Sequence, residues 1–332
     1  MLCRKSLTSF AGIALLSLAS AQESEDPDSW GAYGFPDYKF GPWGVPDVTF
    51  ERLMKAPNAT SNYPLQAPDT SSPFPAPGPI DGWSLSLSVV ADVPMSESNM
   101  SLALVHPNDT FTGSRLVLQT PTGSDSAFDE SWSVCVIQWS IDLKNYPAKL
   151  REDDGSCSSV LSEQCARDLE KAAREQYITG RSRSRQCPCP WTADIPSCAG
   201  EQAEALSGNG ACSSQGLSAD DINRLSDGQY RVLQYGGPLH ERGNRTAYDE
   251  SGSLAWPMMV LWGPSENATG GSPGADGVVA KLSCPRAKEA TQGSTAPRGG
   301  AASDTNAGNG ETGLSSMMLV AGVLLTGGWA SL

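Results

Sequence analysis

The distribution of cysteine constrains the fold of this chain more than any other feature. Cys3 lies alone near the start, and eight cysteines follow from residue 135 onward: Cys135, Cys157, Cys165, Cys187, Cys189, Cys198, Cys212 and Cys284. An even set of this size in an oxidising compartment predicts four disulfides, although the sequence leaves their pairing open. A metal site at Cys187-Pro-Cys189 is disfavoured, because His106 and His240 are the only histidines and the zinc ligand set would be poor. We predict neither a metal nor a cofactor.

The first 21 residues have the pattern of a secretory signal peptide. Arg4 and Lys5 precede an apolar run from Leu7 to Leu18, and Ala19-Ser20-Ala21 supplies small residues for cleavage after Ala21. The alternative is an uncleaved anchor, but the run is shorter than the roughly 20 residues that span a bilayer. The signal predicts entry into the secretory pathway and removal of Cys3.

The C-terminal residues have the pattern of a lipid-attachment signal. Met317 to Leu332 is an uncharged apolar run of 16 residues, preceded by a polar spacer and by small residues. This order is typical of a glycosylphosphatidylinositol (GPI) attachment signal. We predict attachment at Asn306, with Ser303 and Gly308 less favoured, and removal of 307–332. The alternatives are a single tail anchor or a disordered apolar terminus.

The net charge limits the classes of binding partner, and the glycosylation motifs indicate which residues lie at the surface. The formal net charge is −14, which argues against binding to nucleic acid or anionic lipid, since both require basic patches. N-glycosylation sequons occur at Asn58, Asn99, Asn108, Asn244 and Asn267. On a secreted chain, each sequon that is used must lie at the surface.

We predict a Pro- and aromatic-rich, low-complexity, disordered arm over 22–80. Residues 31–37 (GAYGFPD) and 41–47 (GPWGVPD) share the pattern Gly-x-aromatic-Gly-apolar-Pro-Asp. The favoured interpretation is an extended segment that lays its aromatic side chains onto the folded domain, and the alternative is a sugar-stacking arm. Residues 56–79 are predicted to be a Pro/Ser linker.

The predicted folded domain spans 81–285. Alternating apolar residues predict half-buried antiparallel strands at 83–93, 100–105, 114–119, 131–141, 229–235, 255–263 and 277–284, with Pro257 marking an edge strand or a bulge. Helical spacing of Leu161, Cys165, Leu169 and Ala172 predicts one main helix over 159–177. A capping box formed by Ser218 and Asp221 predicts a short second helix.

The predicted fold class is therefore α+β and β-rich: an antiparallel sheet or sandwich with one main helix, held together by disulfides. A flexible Ala/Gly/Ser/Thr stalk is expected over 286–306.

The sequence contains no HExxH or P-loop motif, so no catalytic residue is predicted. His240 is a weak candidate base, because its neighbour Glu241 would point to the opposite face of an extended segment. Glu152, Asp153 and Asp154 could form a calcium loop or a glycosidase carboxylate pair, but a solvated turn is the simpler interpretation.

The block SWSVCVIQWSIDL followed by DDGSCSSVLSEQCARDLEKAA resembles a family of secreted, often GPI-anchored proteins of filamentous fungi. The resemblance covers residues 82–180 well and the remainder loosely. It implies structural roles for Cys135, Cys157 and Cys165 and membrane anchoring, and it implies nothing about catalysis.

The sequence therefore favours a non-enzymatic, GPI-anchored glycoprotein of the fungal cell surface or wall, with a structural or interaction role. Its expected partners are the outer leaflet of the plasma membrane, through the lipid, and a cell-wall glycan, with no nucleic acid. The alternatives are a surface-anchored hydrolase acting on wall polysaccharide and a soluble secreted effector.

Overall fold

The fold was obtained as a computed structural model. It describes residues 32–34, 41–75, 78–99, 106, 108–121, 128–139, 146–180, 187–190, 192–200, 212–225, 228–266, 268 and 277–299. The predicted signal peptide (1–21), the predicted strand at 100–105, the sequon residue Asn267 and the predicted attachment residue Asn306 lie outside these ranges.

The described residues form ten β-strands and four α-helices. The strands are β1 (Ala32–Gly34), β2 (Ala59–Pro68), β3 (Pro79–Pro94), β4 (Thr110–Gln119), β5 (Trp132–Trp139), β6 (Cys212–Ser218), β7 (Gln229–His240), β8 (Met258–Pro264), β9 (Val279–Ser283) and β10 (Glu289–Ala290). The helices are α1 (Asp47–Met54), α2 (Glu163–Gly180), α3 (Ala219–Asn223) and α4 (Arg245–Gly252). Short 3-10 turns cover Pro42–Gly44, Met95–Glu97, Ala148–Glu152, Thr192–Asp194 and Pro196–Cys198.

The strands form two antiparallel sheets that pack face to face. The larger sheet has the order β1-β7-β4-β3-β2-β10, and the smaller has the order β6-β5-β8-β9. One apolar cluster joins side chains of both sheets, with β3 supplying Trp83, Leu85, Leu87 and Val89, each at most 1% exposed. Alternate residues of a strand share a face, so this confirms the half-buried strand predicted at 83–93 and the β-rich sandwich.

Each sheet has a second apolar contact on its outer side. On the four-stranded sheet, α2 buries Cys165 and Leu169 in a cluster with Ile137 of β5 and Leu261 of β8. On the six-stranded sheet, α1 buries Phe50 and Met54 in a cluster with Val93, Phe111 and Leu239. The two sheets are therefore covered on their outer faces by different parts of the chain.

Both predicted helices are present, with small differences in where the main helix begins and which residues it buries. The capping box is present in both directions: Ser218 accepts from the Asp221 amide, and the Asp221 carboxylate accepts from the Ser218 amide. The main helix begins at Glu163 rather than at 159, because the Ser162 hydroxyl accepts from the Cys165 amide and so caps it. Its buried face contains Ala173, whereas Ala172 is only half buried.

The interpretation of Pro257 as part of an edge strand is wrong. Strand β8 begins one residue later, at Met258, and lies between β5 and β9. Pro257 lies just outside the ladder, where it needs no N–H, and its carbonyl accepts from the Trp139 amide.

The folded part is longer at both ends than the predicted range 81–285. Residues 41–75, assigned to the low-complexity arm 22–80, contain α1 and the ten-residue strand β2. Residues 286–299, assigned to the stalk 286–306, contain β10 and the fully buried Ala287. Both segments contact residues far away in the sequence, which local composition does not reveal.

In 41–47, the second of the two segments that share a pattern, the aromatic residue packs onto the domain, as the favoured interpretation expected. Trp43 is 8% exposed, and its indole Nε1 donates to the Gly237 carbonyl at 2.9 Å. A Cβ on Gly236 would lie 2.7 Å from the Trp43 ring, so only glycine leaves room for it. Trp43 and Phe50 are therefore buried and unavailable for stacking on a sugar.

The eight cysteines form four disulfides on the side of the four-stranded sheet. The pairs are Cys135–Cys187, Cys157–Cys284, Cys165–Cys198 and Cys189–Cys212. Three of them tie β5, α2 and β6 to the loop-rich segment after α2, and Cys157–Cys284 ties the turn before α2 to the end of β9. Cys187 and Cys189 each have a cysteine partner, so neither thiol is a metal ligand in this structure.

Candidate functional site: the sequon end of the sandwich

The four sequon asparagines that the structure describes lie at one end of the six-stranded sheet, where β2 and β4 begin and β3 and β7 finish. We call this end, defined by Asn58, Asn99, Asn108 and Asn244, the sequon end. Strand pairing sets their proximity, because Thr110 of β4 lies between Pro94 of β3 and His240 of β7 in the ladder. Asn99, Asn108 and Asn244 are exposed and Asn58 is half buried. Their glycosylation stays a prediction.

Two of these asparagines already use their side-chain oxygen in the fold. Asn244 Oδ1 accepts from the Ala247 amide at 3.0 Å and so caps α4. Asn58 Oδ1 accepts from the Ala91 amide at 2.7 Å, beside the bulge in β3. A glycan is attached through the nitrogen Nδ2, so both hydrogen bonds can persist after modification.

A buried polar cluster underlies the sequon end. The side chain of His240 is 4% exposed. Its Nδ1 lies 2.9 Å from the Glu241 carbonyl and 3.2 Å from the Thr110 hydroxyl, and its Nε2 lies 3.3 Å from the Thr112 hydroxyl. Because a carbonyl can only accept, Nδ1 carries a proton and Nε2 accepts from Thr112 in the neutral ring.

Asp92 links this cluster to the loop before α4. It lies in the β3 bulge with a left-handed φ of 53°. Its Oδ1 accepts from the Gly243 amide at 3.0 Å and from the Thr110 hydroxyl at 3.3 Å, and it lies 3.9 Å from His240 Nδ1. The cluster thus joins β3, β4 and β7. Sequence reasoning missed Asp92, Thr110 and Thr112, whose positions in the bulge and in the TFTGS segment become meaningful only once the strands pair.

The arrangement holds His240 in place but presents no substrate-facing base. Both ring nitrogens contact buried hydroxyl or carbonyl oxygens, and Thr112 is fully buried. Glu241 is exposed, as the alternation of an extended segment predicted. The geometry brings His240 and Glu241 to opposite sides and gives the weak catalytic hypothesis for His240 no support.

The acidic triplet contains one buried carboxylate, Asp153, and two exposed ones, Glu152 and Asp154. Asp153 is 2% exposed; its Oδ1 accepts from the Gly155 and Cys157 amides, and its Oδ2 accepts from the amide and hydroxyl of Ser159. Asp154 is exposed, and hydrogen bonds from the Ser156 hydroxyl and amide lower its pKa. The predicted solvated turn therefore holds for Asp154, whereas Asp153 is a buried acceptor that organises the turn before α2.

The C-terminal segment runs along the sequon end as a strap, defined here as residues 285–299. Beyond the Cys157–Cys284 disulfide, Lys288 N donates to Ser61 Oγ at 3.0 Å and β10 pairs with Ala59 and Thr60 of β2. Thr291 N then donates to the Asn58 carbonyl at 3.1 Å. The strap therefore supplies the edge of the sheet beside one sequon.

Helix α4 holds the end of the strap with three side chains. Tyr248 donates from its hydroxyl to the Thr295 carbonyl at 2.9 Å. Arg245 donates to the Ala296 carbonyl at 2.8 Å and to the Thr295 hydroxyl, and it pairs with Asp249 at 2.7 Å. Asp249, which is 5% exposed, accepts from the Arg298 amide at 2.8 Å. We call Arg245, Tyr248 and Asp249 the clasp.

Burial also changes the acidity of the clasp tyrosine. The pKa of the Tyr248 hydroxyl is raised to about 12, chiefly by desolvation, while the nearby Arg245 acts in the opposite direction. The hydroxyl therefore remains protonated and able to donate to the strap across the physiological range.

In the part of the chain that the structure describes, no group of three or more His, Cys, Asp or Glu side chains is placed to hold a metal ion. Among the helices of those residues, none combines the length and apolar character needed to cross a bilayer.

Comparison with protein-family models, with curated proteins and with solved structures finds no match to this chain.

Proposed function

We propose that this protein is a non-enzymatic, GPI-anchored glycoprotein of the fungal cell surface or wall. The observation that carries the proposal is the sequon end. Asn99, Asn108 and Asn244 are exposed at the ends of neighbouring strands, and Asn58 lies at the start of β2. Glycans added there would cover one end of the domain without entering its core.

The disulfides support the extracellular part of this proposal. All eight cysteines that follow Cys3 are paired, a state typical of proteins that fold in an oxidising compartment. The lipid anchor rests on the sequence pattern around Asn306 and on the fungal family resemblance. The expected partners are the plasma membrane, through the lipid, and a cell-wall glycan.

The anchor is tested by expressing the full-length gene in a fungal host and treating intact cells with phosphatidylinositol-specific phospholipase C. The proposal expects release of the protein and a mature C-terminus at or near Asn306 by mass spectrometry. Asn306→Trp should block or move attachment, since the site requires small residues, whereas Glu311→Gln in the spacer should not.

Two results would overturn the anchor. A mature chain that still ends at Leu332 would show that the tail is not exchanged for a lipid. A lipid-free protein found only in the medium would favour the soluble secreted alternative. Deglycosylation by an amidase that cleaves N-glycans, followed by peptide mapping, reports which sequons are used.

A further inference from the structure

The disulfides determine what proteolysis at a given peptide bond does to the chain. In one region the two fragments stay joined by a disulfide, and in another they separate. Cys157–Cys284 spans the chain from α2 to β9, and Cys135–Cys187 overlaps its beginning. A single break between these cysteines leaves both fragments covalently joined. Cys284 is the last cysteine, so a single break in the strap detaches the domain from everything that follows.

The strap contains bonds that a protease with specificity for basic residues would cleave. Arg286, Lys288 and Arg298 lie within it, and Lys288 and Arg298 are exposed. Their backbone is nevertheless restrained: Lys288 N donates to Ser61 Oγ, and Arg298 N donates to Asp249. Cleavage of a hydrogen-bonded segment requires local opening, so susceptibility follows burial and hydrogen bonding rather than side-chain exposure alone.

The contacts that hold the strap are mostly polar. Tyr63 donates to the Arg286 carbonyl at 2.8 Å, and the clasp binds residues 295–298. Pro285, Ala287 and Pro297 are the buried apolar contributions of the strap. A segment held by hydrogen bonds at one edge can open while the sandwich core stays folded.

We propose that the strap is a gated release site, at which proteolysis detaches the domain and the clasp of Arg245, Tyr248 and Asp249 controls access. The role rests on the proposed function, since it assumes that the chain beyond residue 299 is attached to the surface. Hydrolysis of Arg298–Gly299 consumes one water and leaves a carboxylate on Arg298 and an amine on Gly299. Opening proceeds from the C-terminal side, so Arg298–Gly299 is cleaved first, Lys288–Glu289 next and Arg286–Ala287 last. Arg286 is additionally fixed by its Nε donating to the Asp153 carbonyl at 2.6 Å.

The gate is tested with purified full-length protein and trypsin under native conditions, with fragments followed by mass spectrometry. Arg245→Ala removes the contacts to Thr295, Ala296 and Asp249, and should raise the rate at Arg298–Gly299 on the order of tenfold. Tyr248→Phe should give a smaller increase, and Arg245→Lys should lie between wild type and Arg245→Ala. Arg224→Ala is the matched control, because it removes an exposed Arg–Asp pair at the same helical spacing and should leave the rate unchanged.

Global destabilisation is separated from strap opening by hydrogen exchange. Under the proposal, Arg245→Ala loses protection at the amides of Thr291 and Arg298 while amides of β3 and β5 keep theirs. Equal cleavage in Arg245→Ala and Arg224→Ala, or loss of protection throughout the sandwich, would overturn it.

Treatment of intact cells distinguishes the gate from the anchor. Release by trypsin that is faster in Arg245→Ala, together with release by the phospholipase, supports both proposals. Release by trypsin alone supports the gate and contradicts the lipid. Release by phospholipase with no effect of Arg245→Ala supports the lipid and contradicts the gate.

Discussion

Asp153 and Asp154 are adjacent carboxylates with different surroundings. Asp153 accepts four hydrogen bonds from the turn before α2, whereas Asp154 makes its contacts at the surface. Removing the acceptor of a buried donor lowers the stability of the fold more than removing the acceptor of an exposed donor, because water cannot replace the buried partner. The two neighbours therefore form a matched pair of positions.

We expect Asp153→Asn to lower the free energy of unfolding by about 1–3 kcal/mol, since its amide would face backbone N–H groups. Asp154→Asn should change it by no more than about 0.5 kcal/mol. Urea unfolding with the disulfides intact measures both values. Equal effects would contradict the structural role assigned to Asp153.

The sequon at Asn244 allows the glycan and the helix cap to be separated. Thr246→Ala removes the sequon but keeps the Asn244 side chain that caps α4. Asn244→Ala removes both, and should cost about 1 kcal/mol more than Thr246→Ala because the cap is lost. Intact mass and thermal unfolding of the secreted variants check this; equal stabilities would show that the cap contributes little.

At the scale of elements, α1 fastens the N-terminal part of the domain to the six-stranded sheet. Phe50 is fully buried against the sheet, and a Cβ on Gly113 would lie 2.8 Å from its ring. Glu51 pairs with Arg115 of β4, and Asp47 pairs with Arg231 of β7. Val48, on the same helix, is 78% exposed.

We predict that Phe50→Ala destabilises the protein by about 3–5 kcal/mol, because it removes a buried aromatic side chain and leaves a cavity. Val48→Ala is the control on the same helix and should change stability by less than about 0.5 kcal/mol. Chemical denaturation gives both numbers. A small effect of Phe50→Ala would mean that α1 is not part of the cooperative fold.

The same elements show what sequence patterns could and could not predict. Strand β3 and the capping box of α3 are encoded by local sequence patterns, and both predictions are confirmed. The Pro/Ser composition of 56–79 predicts a linker, whereas the structure has strand β2 there, with residues that alternate between buried and exposed. Proline is tolerated there because β10 borders β2 only at Ala59 and Thr60, so the strand is an edge at Pro64.

The candidate site was predictable only in part, for a related reason. The sequons are local motifs and were found, but their gathering at one end follows from the pairing of β3, β4 and β7. The strap depends on donors and acceptors in α4, some fifty residues earlier in the chain. Its Ala-, Ser- and Thr-rich composition suggested a flexible stalk, since composition does not record such contacts.

At the scale of the whole molecule, three carboxylates with lowered pKa values contribute to the response to acid. Asp69, Asp154 and Asp168 have pKa values lowered below 3.8, chiefly by hydrogen bonds from the hydroxyls of Ser71, Ser156 and Ser197. A carboxyl with a lowered folded pKa stabilises the fold above its unfolded pKa, and this contribution is lost as the pH falls through the folded pKa.

We therefore expect wild type to lose stability relative to an Asp69→Asn, Asp154→Asn, Asp168→Asn triple variant as the pH falls from about 5 to about 2. The comparison between the two proteins removes most of the relief of general repulsion that acid gives a chain of net charge −14, because the variant keeps most of that charge. Melting temperatures measured across this range provide the test. Parallel profiles of melting temperature against pH would contradict the lowered pKa values of these three carboxyl groups.

The pairing of β4 with β7 has a consequence for biosynthesis. Strand β4 ends at Gln119 and its neighbour β7 begins at Gln229. At roughly 5–20 residues per second, the ribosome needs on the order of ten seconds to make the chain between them. During that interval β4 has one open edge, and Asn58, Asn99 and Asn108 have already been synthesised. Their glycans would be added to an unfinished sheet, where they would keep that edge soluble until β7 arrives.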